Sequence, residues 1–183
     1  MPLVHCSKQL LNAITATCKN SMHERLTRDE MLMAIASVVA MRSTCGRRQV
    51  GAVISHQGRV ISTGYAGAPS GAPHCSAACE SQASLNGGCQ RTVHAEANAI
   101  AYAARHGIAT EGAELHCTLS PCINCAKLIV NSGIKRVTYL ESYRITDGVQ
   151  LLNSLGILCT QIVLPADLQK TFASHLEILN LVG

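Results

Sequence analysis

Two short segments restrict the fold of this 183-residue chain more than any others. His94-Ala95-Glu96 opens an Ala-rich helical stretch, and Pro121-Cys122-Ile123-Asn124-Cys125 opens another, with one predicted strand between the helices. Histidine and cysteine are nitrogen and sulfur ligands, and positions i and i+3 of a helix share one face. Cys122 and Cys125 can therefore grip one ion, and His94 can join them only if the two helices begin side by side. Both thiols would follow Pro121 in the first turn, where unpaired amides and the positive end of the helix dipole favour thiolates. Three such ligands leave the fourth tetrahedral position open, the arrangement of a catalytic zinc site. Glu96, two residues past His94, falls beside that open position as a candidate proton acceptor for bound water.

The remaining elements follow from capping and periodicity. Thr27-Arg28-Asp29-Glu30 is a capping box ahead of a helical apolar run through Met41. Gly51 to Ser55 and Arg59 to Thr63 read as an antiparallel hairpin around a His56-Gln57-Gly58 turn. Residues 64–90 are rich in glycine with two prolines, the signature of a long functional loop. Helices are expected over Thr92 to Arg105, Pro121 to Asn131 and Asp147 to Leu155, with Gly107, Gly133 and Gly156 just beyond their ends. Strands are expected over Glu114 to Thr118, Lys135 to Leu140 and Ile157 to Val163. From Val50 the order is β-β-α-β-α-β-α-β, which implies an α/β, three-layer α-β-α fold around a central mixed five-stranded sheet. The length fits a single domain over residues 1–183, with residues 1–26 as an N-terminal extension and 166–183 as a helical tail.

Composition narrows the partners. The formal net charge is +4, and the chain has no Trp and one Phe, so a basic channel with aromatic stacking platforms for nucleic acid is not expected. A mild positive charge suits a phosphorylated small molecule instead. No secretory pattern and no apolar run of the roughly 18 residues a membrane span needs can be found, so a cytoplasmic protein without a membrane partner is expected. In that compartment the ten cysteines read as metal ligands or packed thiols before disulfides. Cys6, Cys18 and Cys159 lie apart from the others and read as small buried hydrophobes, and Cys117 as strand packing. His106 and His116 are read as serving no metal.

A lone H-x-E is common by chance, and a lone C-x-x-C serves structural zinc or redox chemistry equally well. Together, each at a helix start, they form the H-x-E…P-C-x-x-C pattern of zinc deaminases. The stretch from about Thr44 to Tyr143 further resembles the deoxycytidylate (dCMP) deaminases of bacteria and their phages. The resemblance is carried by the segments Arg42 to Ile54, Gly64 to Gly71, His74-Cys75, Arg91 to Ile100, Leu119 to Lys127 and Gly133 to Val137, and by Tyr143. It implies a cytidine deaminase-like fold and a catalytic Zn²⁺ on His94, Cys122 and Cys125. Glu96 would then shuttle protons during hydrolytic conversion of dCMP to dUMP and ammonia. It also implies base contacts from the Ala95 amide and the Ser120 carbonyl. Members often carry cysteines at places matching Cys45 and Cys75, where some bind a structural zinc. Cys45, Cys75, Cys79 and Cys89 are therefore candidates for a second structural Zn²⁺ closing the Gly-rich loop, with His74 as a substitute; packed free thiols are the alternative. Arg47, Arg48 and Lys127 are candidate phosphate ligands, with Ser70 and Tyr143 as hydrogen-bond donors. Relatives are commonly hexamers regulated by dCTP and dTTP, so a homo-oligomer with those effectors is implied, and Arg105 matches a position linked to subunit contacts.

The chain departs from the family pattern at one informative place. The family's Gly-Tyr-Asn-Gly reads Gly64-Tyr65-Ala66-Gly67 here. Ala66 offers no side-chain donor or acceptor, and an unreplaced hydrogen bond of that kind is worth on the order of 1–3 kcal/mol. A different base (a 5-substituted dCMP or a purine nucleotide), a weakened or non-catalytic zinc-binding regulatory subunit, or another residue reaching in would each account for it. The loop from Cys75 to Cys89 is also short for the family, which would reshape the pocket rim.

Overall fold

The computed structural model describes residues 25–75, 89 and 91–172. Residues 1–24 of the N-terminal extension lie outside them, with Cys6 and Cys18, as does Cys79. Thr27 caps helix α1 (Arg28–Ala40) through the expected capping box, accepting the Glu30 amide while Glu30 reaches back to the Thr27 amide. Strands β1 (Gly51–His56) and β2 (Arg59–Tyr65) form the hairpin. Its turn is tighter than expected: His56 pairs with Arg59, and only Gln57 and Gly58, at φ 51° and 76°, form the loop. Two successive positive φ values match the twist of the flanking strands.

The chain continues as α2 (Ala95–Arg105), β3 (Glu114–Leu119), α3 (Ile123–Asn131), β4 (Arg136–Glu141), α4 (Asp147–Ser154) and β5 (Leu158–Gln161). Residues 166–172 are helical, as expected for the start of the tail. The five strands lie in the order β2-β1-β3-β4-β5; β1 is antiparallel to both its neighbours, while β3, β4 and β5 run parallel. This is the mixed sheet and three-layer arrangement implied by the element order.

Strand alternation assigns the two faces. Ala52 and Ile54 of β1, Leu115 and Cys117 of β3 and Val137 of β4 pack under α2, α3 and α4 with Ala99, Ala126, Ile129 and Leu152. Val53, one position over, joins Leu32, Met33 and Ala36 of α1 on the other face. With so few aromatics, close approach replaces bulk. A Cβ on Gly64 would overlap the Ala95 carbonyl and the Ala99 amide, so only glycine lets α2 lie this near β2. Among the described residues, no helix is long and apolar enough to cross a membrane.

Candidate active site

Helices α2 and α3 begin later than the sequence pattern suggests, each just after a ligand-type residue. His94 and Cys122 hold extended backbone (φ −69°, ψ 152° and φ −73°, ψ 169°) and serve as N-caps. Ser, Thr, Asp or Asn would turn its side chain back onto the first amides there. Neither His94 nor Cys122 does so, which leaves both side chains to face one another. His94 Nδ1 lies 3.4 Å from Cys122 Sγ and 3.4 Å from Cys125 Sγ, and all three ligand atoms fall within 4.8 Å of one another. Tetrahedral zinc with Zn–N near 2.0 Å and Zn–S near 2.3 Å separates N from S by about 3.5 Å. Donor chemistry and spacing both fit that ion.

The local electrostatics fit it too. Hydrogen bonds from Cys125 and then His94 hold the Cys122 thiol down to about 3, so it is a thiolate at neutral pH. That thiolate raises the pKa of His94 and, through its hydrogen bond, of the Cys125 thiol. The trio thus retains protons that a divalent cation would displace. Glu96, in the first turn of α2, is 4% exposed, and burial raises its carboxyl pKa, with Cys125 within hydrogen-bonding reach. A buried carboxyl beside a metal-ligand cluster is placed to take a proton and to return it.

A cavity of about 260 Å³ opens on this cluster. His94, Ala95, Glu96 and Cys122 form its inner end, and Arg47, Arg48, Tyr143 and Arg144 supply polar and cationic walls. Ala66, Val50 and Leu119 form an apolar row: the register that pairs Ala52 with Gly64 and with Cys117 places these three side by side at the strand ends. The backbone of Ala66 is fully engaged, its amide by the Val50 carbonyl and its carbonyl by the Thr44 amide and the Ser43 hydroxyl. Only its methyl group is left for a ligand.

Residues 26–141 match the family described as the cytidine and deoxycytidylate deaminase zinc-binding region. The chain belongs to this family. It is 40% identical over 142 residues to ComE operon protein 2 of Bacillus subtilis, covering 77% of this chain and 74% of that protein. It is 43% identical over 120 residues to the deoxycytidylate deaminase of Mycobacterium phage D29, covering 61% of this chain and 92% of that one. The crystal structure of dCMP deaminase from cyanophage S-TIM5 in complex with dCMP and dUMP aligns with a TM-score of 0.66 at 34% identity, over 76% of this chain and all of that chain. The chain is thus a hydrolase of the zinc-dependent dCMP deaminase family.

The other residues singled out for this deaminase fold fall into two groups. Arg47, Arg48, Ala66, Ala95, Ser120 and Tyr143 all line the cavity. Ser70 and Lys127 are exposed and do not line it, and Arg105 is exposed at the end of α2. Of the four cysteines read as a second zinc site, Cys79 lies outside the described residues, and Cys45 and Cys89 line the cavity rim. Among the described residues, Cys45, Cys75 and Cys89 do not form a ligand cluster. Burial pushes the Cys89 thiol up, but hydrogen bonds with the Thr92 side chain and the Thr92 and Arg91 backbone outweigh it and lower its pKa. Cys117 is fully buried, and burial raises its pKa well above the ordinary value, as suits a packing thiol.

Sequence reasoning missed Arg144, Thr92, Val50 and Leu119 as cavity residues. Val50 and Leu119 were legible in principle, because each extends the inward alternation of its strand by one step past Ala52 and Cys117. Arg144 gave no such signal, since it stands in a connection after β4.

Proposed function

We propose that this chain hydrolyses a deoxynucleoside monophosphate, dCMP, to dUMP and ammonia, with Glu96 as the proton carrier. The observation that carries this reading is a buried, upward-tuned carboxyl beside the His94–Cys122–Cys125 cluster, in a cavity whose walls include Arg47 and Arg48. Zinc held by those three residues makes water a nucleophile near neutral pH. A carboxylate oxygen of Glu96 takes one proton from the attacking water as its oxygen adds to C4 of the base. Glu96 delivers that proton to ring nitrogen N3, and the remaining water proton leaves with the 4-amino group as ammonia. The Ala95 amide, without an intrahelical acceptor in the first turn of α2, is the proposed donor to the base O2 atom. The Ser120 carbonyl is the proposed acceptor for the amino group. Arg47 and Arg48, with Arg144, are the proposed phosphate ligands, and Tyr143 a hydrogen-bond donor beside them.

A second reading keeps the reaction and changes the base. The apolar row of Ala66, Val50 and Leu119 favours a substrate with an apolar substituent, such as a 5-methyl group on deoxycytidylate. An absorbance panel of dCMP, 5-methyl-dCMP, deoxycytidine, purine monophosphates and a single-stranded oligonucleotide tests both. Turnover of dCMP with little or none of deoxycytidine is expected. If dCMP absorbance stays constant at high concentrations of zinc-loaded enzyme, the first reading fails; turnover confined to the 5-substituted nucleotide would install the second.

A further inference from the structure

Ser120 occupies the point where the β3–β4 ladder ends and the cavity begins. Strands β3 and β4 are parallel, with Leu119 opposite Glu141. In such a ladder one residue donates its amide to a carbonyl of the neighbouring strand and accepts with its own carbonyl from the amide two residues further along. Ser120 makes the first of these bonds, its amide donating to the Glu141 carbonyl at 2.8 Å. Continuing the ladder would give the Tyr143 amide to the Ser120 carbonyl. Instead the Tyr143 amide donates to the Ser120 hydroxyl oxygen at 2.7 Å. The Ser120 carbonyl accepts no hydrogen bond among the described residues. Ser120 is 3% exposed and lines the cavity, so a carbonyl without a partner there is an acceptor awaiting one.

We infer that the Ser120 hydroxyl is a positioning group that intercepts the last ladder bond and so keeps its own carbonyl available for a substrate donor. Serine hydroxyls routinely compete with backbone acceptors in this way. The donor fitting this carbonyl within the proposed reaction is the 4-amino group, and the inference rests on that reading. Without the hydroxyl, the Tyr143 amide swings onto the carbonyl of residue 120 and competes with the amino group. The product presents a carbonyl oxygen at the same ring position, so it gains nothing from a free acceptor there.

The comparison of substrate with product therefore isolates the effect. In zinc-loaded protein carrying Glu96→Gln, where turnover is slowed by orders of magnitude and dCMP survives the titration, calorimetry gives dissociation constants for dCMP and dUMP. Adding Ser120→Ala is expected to weaken dCMP about tenfold and to leave dUMP within twofold, while Ser120→Thr, which retains the hydroxyl, restores dCMP binding. The amide of residue 143 stays protected from hydrogen exchange in the Ala variant, because it has found the carbonyl. Parallel weakening of dCMP and dUMP would reduce Ser120 to a structural role and overturn the inference, as would an exposed residue 143 amide. Should the Ala variant not fold, Ser120→Gly repeats the test. Absence of dCMP turnover by the unaltered enzyme would instead sink the underlying reading.

Discussion

Two clusters of potential metal ligands sit on opposite faces of the same sheet, and they differ in what already bonds to them. At the cavity, His94, Cys122 and Cys125 converge from two helix starts, and among the described residues no Lys or Arg is hydrogen-bonded to them. Under α1, Asp29, Glu114 and His116 also bring their ligand atoms within 4.8 Å. There Arg136 already bonds to both carboxylates, with Nη1 2.9 Å and Nη2 2.7 Å from the two Asp29 oxygens and Nη2 2.6 Å from Glu114. The bond to Asp29 raises the guanidinium pKa and lowers that of the carboxyl. His116 is buried and neutral, its ring nitrogens 2.6 Å from the Thr138 hydroxyl and 3.1 Å from that of Ser55. Proximity of ligand types is thus not enough to make a metal site. What distinguishes the two is whether an arginine already bonds to the ligand atoms.

Loss of the first cluster gives the largest effect. Cys122→Ala is expected to lower both bound zinc and deaminase activity to near background, whereas Asp29→Asn leaves the zinc content per chain unchanged. Glu96→Gln separates metal from chemistry: zinc stays bound and kcat falls about 10²- to 10⁴-fold, the range of general acid–base catalysis. Elemental analysis beside steady-state kinetics checks all three. Zinc lost with Asp29→Asn would erase the distinction between the clusters.

Acid stability probes the second cluster. Burial lowers His116 to about 4, against an ordinary 6.5. Above pH 6.5 the ring is neutral folded or unfolded, and its contribution to stability is fully present. As pH falls from 6.5 towards 4 the unfolded chain takes up a proton that the folded chain refuses, so stability is lost. The loss at pH 4.5 comes to about 2.5 kcal/mol. The Asp29 carboxyl, held below 3.8 by its hydrogen bond to Arg136, stays charged through that window and does not mask the effect. Urea unfolding at pH 7.5 and 4.5 should show this difference, and His116→Gln should remove that share of it. Equal acid sensitivity in both proteins would mean that His116 already binds a proton when folded.

The two clusters also differ in how far they could be read in advance. The first lies in short-range patterns, since H-x-E and P-C-x-x-C each place their residues by helix periodicity, and the β-α-β order brings the helix starts together. The position of each helix start within its motif was not legible, because His94 and Cys122 look helical by pattern yet act as uncommon caps. The second cluster was invisible: Asp29 and Arg136 are 107 residues apart and meet only through the packing of α1 on β3 and β4. The Ser120 hydroxyl belongs to the same class. Its role depends on where the ladder between β3 and β4 stops, and no local pattern marks that point.

The smallest expected effect concerns the wall of the cavity rather than its inner end. Ala66 presents only a methyl group, with its amide and carbonyl held by Val50, Thr44 and Ser43. Replacing it with Asn puts a carboxamide into the apolar row with Val50 and Leu119 without disturbing those backbone bonds. A new hydrogen bond to a bound nucleotide is worth about 1 kcal/mol, roughly a fivefold change in kcat/KM. Ala66→Asn should therefore raise kcat/KM for dCMP about fivefold and lower it for 5-methyl-dCMP, whose methyl group competes for the same space. The ratio of the two substrates, measured on one preparation, cancels any difference in zinc loading. If the ratio does not move, the apolar row faces neither base nor sugar, and selectivity lies with the polar walls of Arg47, Arg48 and Tyr143 instead.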